Sequence, residues 1–272
     1  MEPETPTTGS LDTGSAWLAE AFYTDEPSED ALRQALSYAF GERARDLELR
    51  VEPLADRDWV KESLEAMPPV SAGRFVVYGG HDRGRIRANQ IGIEIEAAQA
   101  FGTGHHGTTW GCLKALDTLL KARRYERPLD IGTGTGVLAI GLAKALRRKV
   151  VATEIDPVAT RIAVENARLN GVSALIEAHT ADGVKALPVT RHAPYDLIVA
   201  NILANPLVAL APDVERIAAD RASVVLSGLL TWQRREVEAV WRTRGFVARD
   251  RLFRDGWATL VLQRRSAGAY RS

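Results

Sequence analysis

Apolar positions along the chain change period several times. From residue 29 to 40, EDALRQALSYAF puts Leu32, Ala35, Leu36, Ala39 and Phe40 on one helical face, and Leu47, Leu49 and Val51 then alternate as a strand does. Together they predict a small α+β element. Ahead of it, the first dozen or so residues of the chain, rich in Pro, Thr, Gly and acid, are expected to be disordered. Met67, Pro68 and Pro69 break regular structure, after which Phe75 to Tyr78 and Ile91 to Ile95 read as short strands around a basic loop, HDRGRIR. Beyond residue 91 short apolar runs alternate with helix-period segments: helix 109–122, strand 127–131, helix 136–146, strand 149–154, helix 157–170. Pro157 opens the last of these helices and Asn170-Gly171 closes it. Strands are expected at 195–200 and 222–227 and a helix from 231. Phe246 to Phe253 and Trp257 to Leu262 then make a hairpin through Asp255-Gly256.

This alternation predicts an α/β fold with a doubly wound parallel sheet, closed at one edge by an antiparallel strand. The domain plan that follows is a small α+β N-terminal region over 1–65, a connector over 66–90 and the main domain over 91–272. Charge narrows the partners. With 35 basic and 35 acidic residues the formal charge is zero, so no global field attracts nucleic acid or anionic lipid, and no direct nucleic-acid binding is expected. Cys112 is the one cysteine, which excludes an internal disulfide and a multi-cysteine metal site. The acidic MEPETPTTGS has no signal-peptide character, and no apolar run approaches the roughly 20 residues that span a bilayer. A cytoplasmic, monomeric protein without a membrane partner is expected.

The stretch from Leu129 to Leu146, LDIGTGTGVLAIGLAKAL, carries the chemistry. Asp130 ends a strand, Gly132, Gly134 and Gly136 let the backbone turn against a ligand, and a helix starts at Val137. The dinucleotide fingerprint G-x-G-x-x-G needs its third glycine at 137, where this chain has Val. The form D-x-G-x-G-x-G is instead similar to the S-adenosylmethionine site of class I methyltransferases. A second strand delivers Glu154, 22 residues after Gly132, where a carboxylate can accept both ribose hydroxyls. Upstream, AFGTGHHGTT leads into a helix that Thr108 or Thr109 can cap. Free N–H groups there favour a carboxylate such as that of the methionine moiety. Phe101, Gly102, Thr103 and Thr109 are therefore candidate cofactor contacts.

Other polar residues keep two readings. The adjacent His105 and His106 have no H-x-x-x-H or cysteine partner, so no metal is expected. Asp182, after the third strand, either accepts from an adenine amine or sits in a turn. Asp156 either lies beside the ribose or caps the helix after Pro157. Asn201 ends the strand of DLIVANILANPL, where open α/β sheets place their ligands, and is the candidate reaction centre; its alternative is a turn residue.

In order and spacing, AFGTGHHGTT, LDIGTGTGVLAI, TEIDP, VANILANPL and LSGLL resemble the ribosomal protein L11 methyltransferases, over roughly residues 50 to 264. The resemblance implies a seven-stranded class I methyltransferase sheet and a small N-terminal domain that recognises the substrate. It implies transfer of methyl groups from S-adenosyl-L-methionine to lysine ε-amino and N-terminal α-amino groups of ribosomal protein L11. It carries Thr109, Gly132, Glu154 and Asn201 over as cofactor contacts, with Asn201 also facing the acceptor. Gly107 stands where the family often has Pro or Glu, and Glu154 where Asp is usual. The alternatives are methylation of another protein or a small amine, or of a nucleic-acid base. In the last case Pro-Pro and an aromatic residue typically follow the strand-end Asn, where this chain has Ile202-Leu203-Ala204.

Overall fold

The computed structural model describes residues 23, 27–51, 69–95 and 106–266. The chain divides into two units, residues 1–58 and 59–272. In the first, helix α1 (Glu29–Phe40) starts behind Ser28, whose hydroxyl accepts from the Ala31 N–H, and ends at Gly41, with φ +59°. Leu32 and Leu36 are its half-buried positions. The strand expected over 47–51 does not form. Leu47 and Val51 are exposed, and no strand among the described residues pairs with them. Alternation alone does not make a strand when the N–H and C=O groups have no ladder to join.

The second unit contains two sheets. The smaller has β1 (Val70–Ala72), β2 (Phe75–Tyr78) and β3 (Ile91–Glu94), with β2 antiparallel to β1 and parallel to β3. The stretch 66–90, expected as a connector, carries β1 and β2 in its described part. Phe75, Val77 and Ile93 share a buried core with Leu113, Leu116 and Ile140 of the helices beside them. Asp117 is held by Arg74 at 2.5 Å and Lys121 at 2.6 Å. The side chain of Asn170, expected only to end a helix, exchanges hydrogen bonds with the backbone N–H and C=O of Glu94, at 2.9 and 2.6 Å.

The larger sheet runs β6-β5-β4-β7-β8-β10-β9. Its members are β4 (Pro128–Ile131), β5 (Val150–Glu154), β6 (Ile176–Thr180), β7 (Tyr195–Asn201), β8 (Ala218–Leu230), β9 (Phe246–Arg254) and β10 (Trp257–Arg264). The first five are parallel to one another, and β10 lies antiparallel between β8 and β9. The β9–β10 turn is Asp255-Gly256, both at positive φ, the geometry that suits the twist of a two-residue hairpin.

Around this sheet lie α2 (His106–Ala122), α3 (Val137–Leu146), α4 (Pro157–Leu169), α5 (Leu187–His192), α6 (Ala204–Ile217) and α7 (Arg234–Thr243). Two separate apolar clusters mark the two covered faces. One is built on α2, α3 and the small sheet, the other on α6 and α7. Trp241 of α7 anchors the second cluster, with its ring edge-on to Phe246 at 5.1 Å and its indole N–H on the Leu207 carbonyl at 3.0 Å. From β4 the chain winds outward through β5 and β6, then returns to β7 on the other side. Such a reversal opens a crevice at the carboxyl ends of β4 and β7.

Candidate active site

The glycine turn sits at that crevice, and its three glycines are needed for different reasons. All have positive φ, +68°, +54° and +89° at Gly132, Gly134 and Gly136. A Cβ on Gly132 would lie 2.3 Å from Cγ2 of Ile202, and one on Gly136 would press on Ala163 at 3.3 Å. A Cβ on Gly134 would meet nothing within 4 Å. The first two let the protein pack against itself, whereas Gly134 leaves its approach open.

Glu154 is held by the backbone around it. One carboxylate oxygen accepts from the Gly134 N–H at 2.9 Å, the other from the N–H groups of Ile155 at 2.8 Å and Asp156 at 3.1 Å. A carboxylate has about four acceptor positions, so capacity remains. Asp156 caps α4 through the Val158 N–H at 2.8 Å. Asp130 is buried. Its Oδ2 accepts from the Thr133 hydroxyl at 2.6 Å and the Ala139 N–H at 3.0 Å, tying the turn to the start of α3, and its Oδ1 has no partner. Burial pushes this carboxyl up to about 7, against the two hydrogen bonds and with the Glu154 charge.

Across the crevice, Asn201 at the end of β7 donates from Nδ2 to the hydroxyl of buried Thr108 at 3.3 Å. The expected capping role of Thr108 or Thr109 is not found. Helix α2 already includes His106, so both threonines lie inside it, and Thr109 is half-buried one position beyond Thr108. Behind Asn201, the Ile202 N–H donates to the Ser227 carbonyl at 3.2 Å. A Cβ on Gly228, φ +85°, would lie 2.3 Å from the Ile202 carbonyl oxygen. The Ser227 hydroxyl is 2.9 Å from that of Thr259, and a Cβ on Gly111 would lie 2.1 Å from the same Thr259 oxygen. The LSGLL strand is thus the surface against which Asn201 is set.

The chain matches the family described as ribosomal protein L11 methyltransferase (PrmA) over residues 4–265. It belongs to that family. A ribosomal protein L11 methyltransferase of Rhodopseudomonas palustris is 49% identical over 247 residues, covering 91% of this chain and 83% of the relative. One from Bradyrhizobium diazoefficiens is 49% identical over 248 residues, with 91% and 84% covered. Among solved structures, the ribosomal protein L11 methylase of Lactobacillus delbrueckii subsp. bulgaricus superposes with a TM-score of 0.64 at 25% identity, covering 72% of this chain and 97% of that one. The protein is therefore an S-adenosylmethionine-dependent protein methyltransferase acting on ribosomal protein L11. The family match reaches back to residue 4, far ahead of residue 50, where the motifs become legible.

The fold brings Asp130 of β4, the turn of Gly132, Gly134 and Gly136, and Glu154 at the end of β5 together, with Asn201 at the end of the adjoining β7. Phe101, Gly102 and Thr103 lie outside the described residues. Asp182 is exposed in the turn after β6 and pairs with Lys185. Gly111, Ser227, Gly228 and Thr259 were not among the sequence candidates, since only the pairing of β8 with β10 reveals their contacts. Ile155, 69% exposed beside Glu154, is a further candidate that the sequence reading did not single out. An apolar residue placed between two acids was its signal. No helix among the described residues is long and apolar enough to cross a membrane.

Proposed function

We propose that the crevice at the carboxyl ends of β4, β5 and β7 holds S-adenosylmethionine and directs its methyl group to lysine ε-amino and N-terminal α-amino groups of ribosomal protein L11. The observation that carries this reading is the open approach at Gly134, whose own N–H fixes the Glu154 carboxylate beside it. A backbone that a ligand can touch, next to a carboxylate with spare acceptor capacity, fits a ribose and its neighbouring chain. Ile155 offers an apolar surface for the base, and the unpartnered Oδ1 of Asp130 an acceptor for an ammonium or a bridging water. Thr109, Phe101, Gly102 and Thr103 complete the proposed contacts, with Asp182 toward the adenine.

When bound, the sulfonium supplies both the methyl group and the leaving group. The protein then has to align the acceptor lone pair with the methyl carbon and keep water out. An acceptor lysine must first lose a proton, which from a pKa near 10.4 costs about 4.6 kcal/mol at pH 7. A dry crevice beside a positive sulfur lowers that cost by disfavouring the ammonium. Asn201 commits its Nδ2 to Thr108, which turns the amide so that Oδ1 is left to accept from the amine. The test is to incubate the enzyme and labelled cofactor with whole-cell extract, with and without L11, and to map the labelled residues by mass spectrometry. Label on lysine and α-amino nitrogens of L11 is expected; label on a different protein, or on other atoms, would replace the reading.

A further inference from the structure

We infer that the face at the amino ends of the strands, opposite the active site, docks RNA through its phosphate backbone. The zero net charge of the chain hides an uneven distribution. The loops that enter β4 and β5 carry Arg124, Arg127, Arg147 and Lys149, and the end of α5 ahead of β7 carries Arg191, all exposed and without a carboxylate partner among the described residues.

Three acids beside these residues have partners of their own. Glu126 pairs with Arg148 at 2.9 Å. Glu177 lies between His179 at 3.0 Å and His192 at 3.3 Å. Asp196 accepts from the backbone N–H groups of Glu126 and Arg127, at 2.8 and 2.9 Å. What remains is a surplus of cations around a cleft of about 350 Å³, lined by Arg127, Lys149, Glu177, Arg191, His192 and Tyr195 among others.

Helix dipoles favour cations at helix C-termini, which accounts for Arg191 in the last turn of α5. They do not account for Arg127 and Lys149, which immediately precede strands. Because β5, β4 and β7 are neighbours in the sheet, those loops form a row about 10 Å long, the rise of roughly three nucleotides in a helical strand.

Two further features favour RNA over a membrane. None of the large exposed hydrophobic side chains lies in the segments 121–128, 147–149 or 191–194, so nothing there inserts into lipid. The substrate is a ribosomal protein, whose destination is a particle built on RNA. Docking by the amino-end face would hold the enzyme on RNA while its crevice, at the other end of the strands, stays open to L11.

The test is fluorescence anisotropy with the full chain and a labelled RNA of mixed sequence, about 20 nucleotides long, at 50 and 200 mM KCl. Neutralising about four phosphates predicts that affinity falls about 50-fold between those salts. The triple variant Arg127→Glu, Lys149→Glu, Arg191→Glu should lose binding at least tenfold, with L11 methylation and thermal midpoint unchanged. The milder Arg127→Gln, Lys149→Gln, Arg191→Gln set should lie between it and the parent, and serves if charge reversal perturbs folding. Absence of binding at 50 mM KCl, parental affinity in both variant sets, or tighter binding to phosphatidylglycerol vesicles than to RNA would each overturn the inference. So would full displacement of the RNA by millimolar pyrophosphate with tighter binding of pyrophosphate alone, which would mark a small-anion site.

Discussion

Gly134, Asn201 and Asp130 carry the proposed chemistry of the crevice, and each can be tested alone. Gly134 has open space where a Cβ would point, so a bulky substitution there costs the fold little beyond the strain of its positive φ, +54°. Its main effect falls on a ligand. Gly134→Leu is expected to weaken cofactor binding by about ten- to a hundredfold in calorimetry, in line with the roughly 1–3 kcal/mol typical of overpacking. Affinity equal to the parent's would move the cofactor away from this turn.

Asn201→Ala should lower turnover by about 100-fold and weaken cofactor binding much less, since in the proposed site Asn201 positions the acceptor as well as touching the cofactor. The comparison is kcat against the calorimetric Kd; equal kcat would remove Asn201 from the mechanism.

Asp130 gives a pH test. Its folded value of about 7 lies above the ordinary 3.8, so the fold prefers the neutral acid. This group therefore imposes no penalty at pH values below the ordinary one. Its penalty grows as the pH rises from there toward the folded value and then levels off, at a total on the order of 4 kcal/mol. Asp130→Asn keeps a side-chain oxygen for Thr133 and Ala139 and removes the charge. Urea unfolding at pH 5, 6, 7 and 8 should show the Asp130→Asn protein gaining on the parent as the pH rises, with the gain levelling off at the top of that range. A gap that is flat with pH would show that Asp130 ionises at no cost to the fold.

At the scale of elements, what positions Asn201 is the neighbouring strand. Gly228 lets the Ile202 carbonyl come within 2.3 Å of where a Cβ would stand, and it has a positive φ, +85°. Gly228→Ala combines backbone strain with overlap against main chain, which cannot swing aside as a side-chain tip can. A loss of about 3 kcal/mol or more in unfolding free energy is expected, with reduced turnover because Ile202 follows Asn201 directly. A variant with parental stability and activity would show that the β7–β8 approach is slack.

Most elements were legible because their apolar period is clean: β2, α3, β5 and α4 fall within a residue of expectation at each boundary. One expectation failed and one fell short for a shared reason. Residues 47–51 alternate but find no ladder, and β8, expected over 222–227, runs from Ala218 to Leu230 because it pairs with both β7 and β10. Strand length depends on the partner. The period of a single segment does not report it.

For the whole molecule, residues 59–272 contain every described residue of the proposed cofactor site, and the family match extends ahead of them to residue 4. A fragment spanning 59–272 is expected to bind S-adenosylmethionine with parental affinity and to methylate L11 poorly, checked by calorimetry and by label transfer. Parental L11 methylation by the fragment would place substrate recognition wholly in the second unit. Net charge is likewise a property that the whole chain reports misleadingly, since equal numbers of acids and bases are compatible with a strongly cationic end.

The sequence by itself determined the alternation of strands and helices, the glycine turn and the carboxylate 22 residues beyond Gly132, because each depends on local period or on a backbone conformation that few residues adopt. The ordered motifs also marked the family. Only the tertiary structure decided which glycine faces open space and which face the protein. It also resolved Asp156 as a cap, Asp130 as a buried anchor, and β8 as the strand that sets Asn201 in place. Those facts depend on what lies across a gap of a few ångströms from residues distant along the chain. No local pattern encodes the identity of such a neighbour.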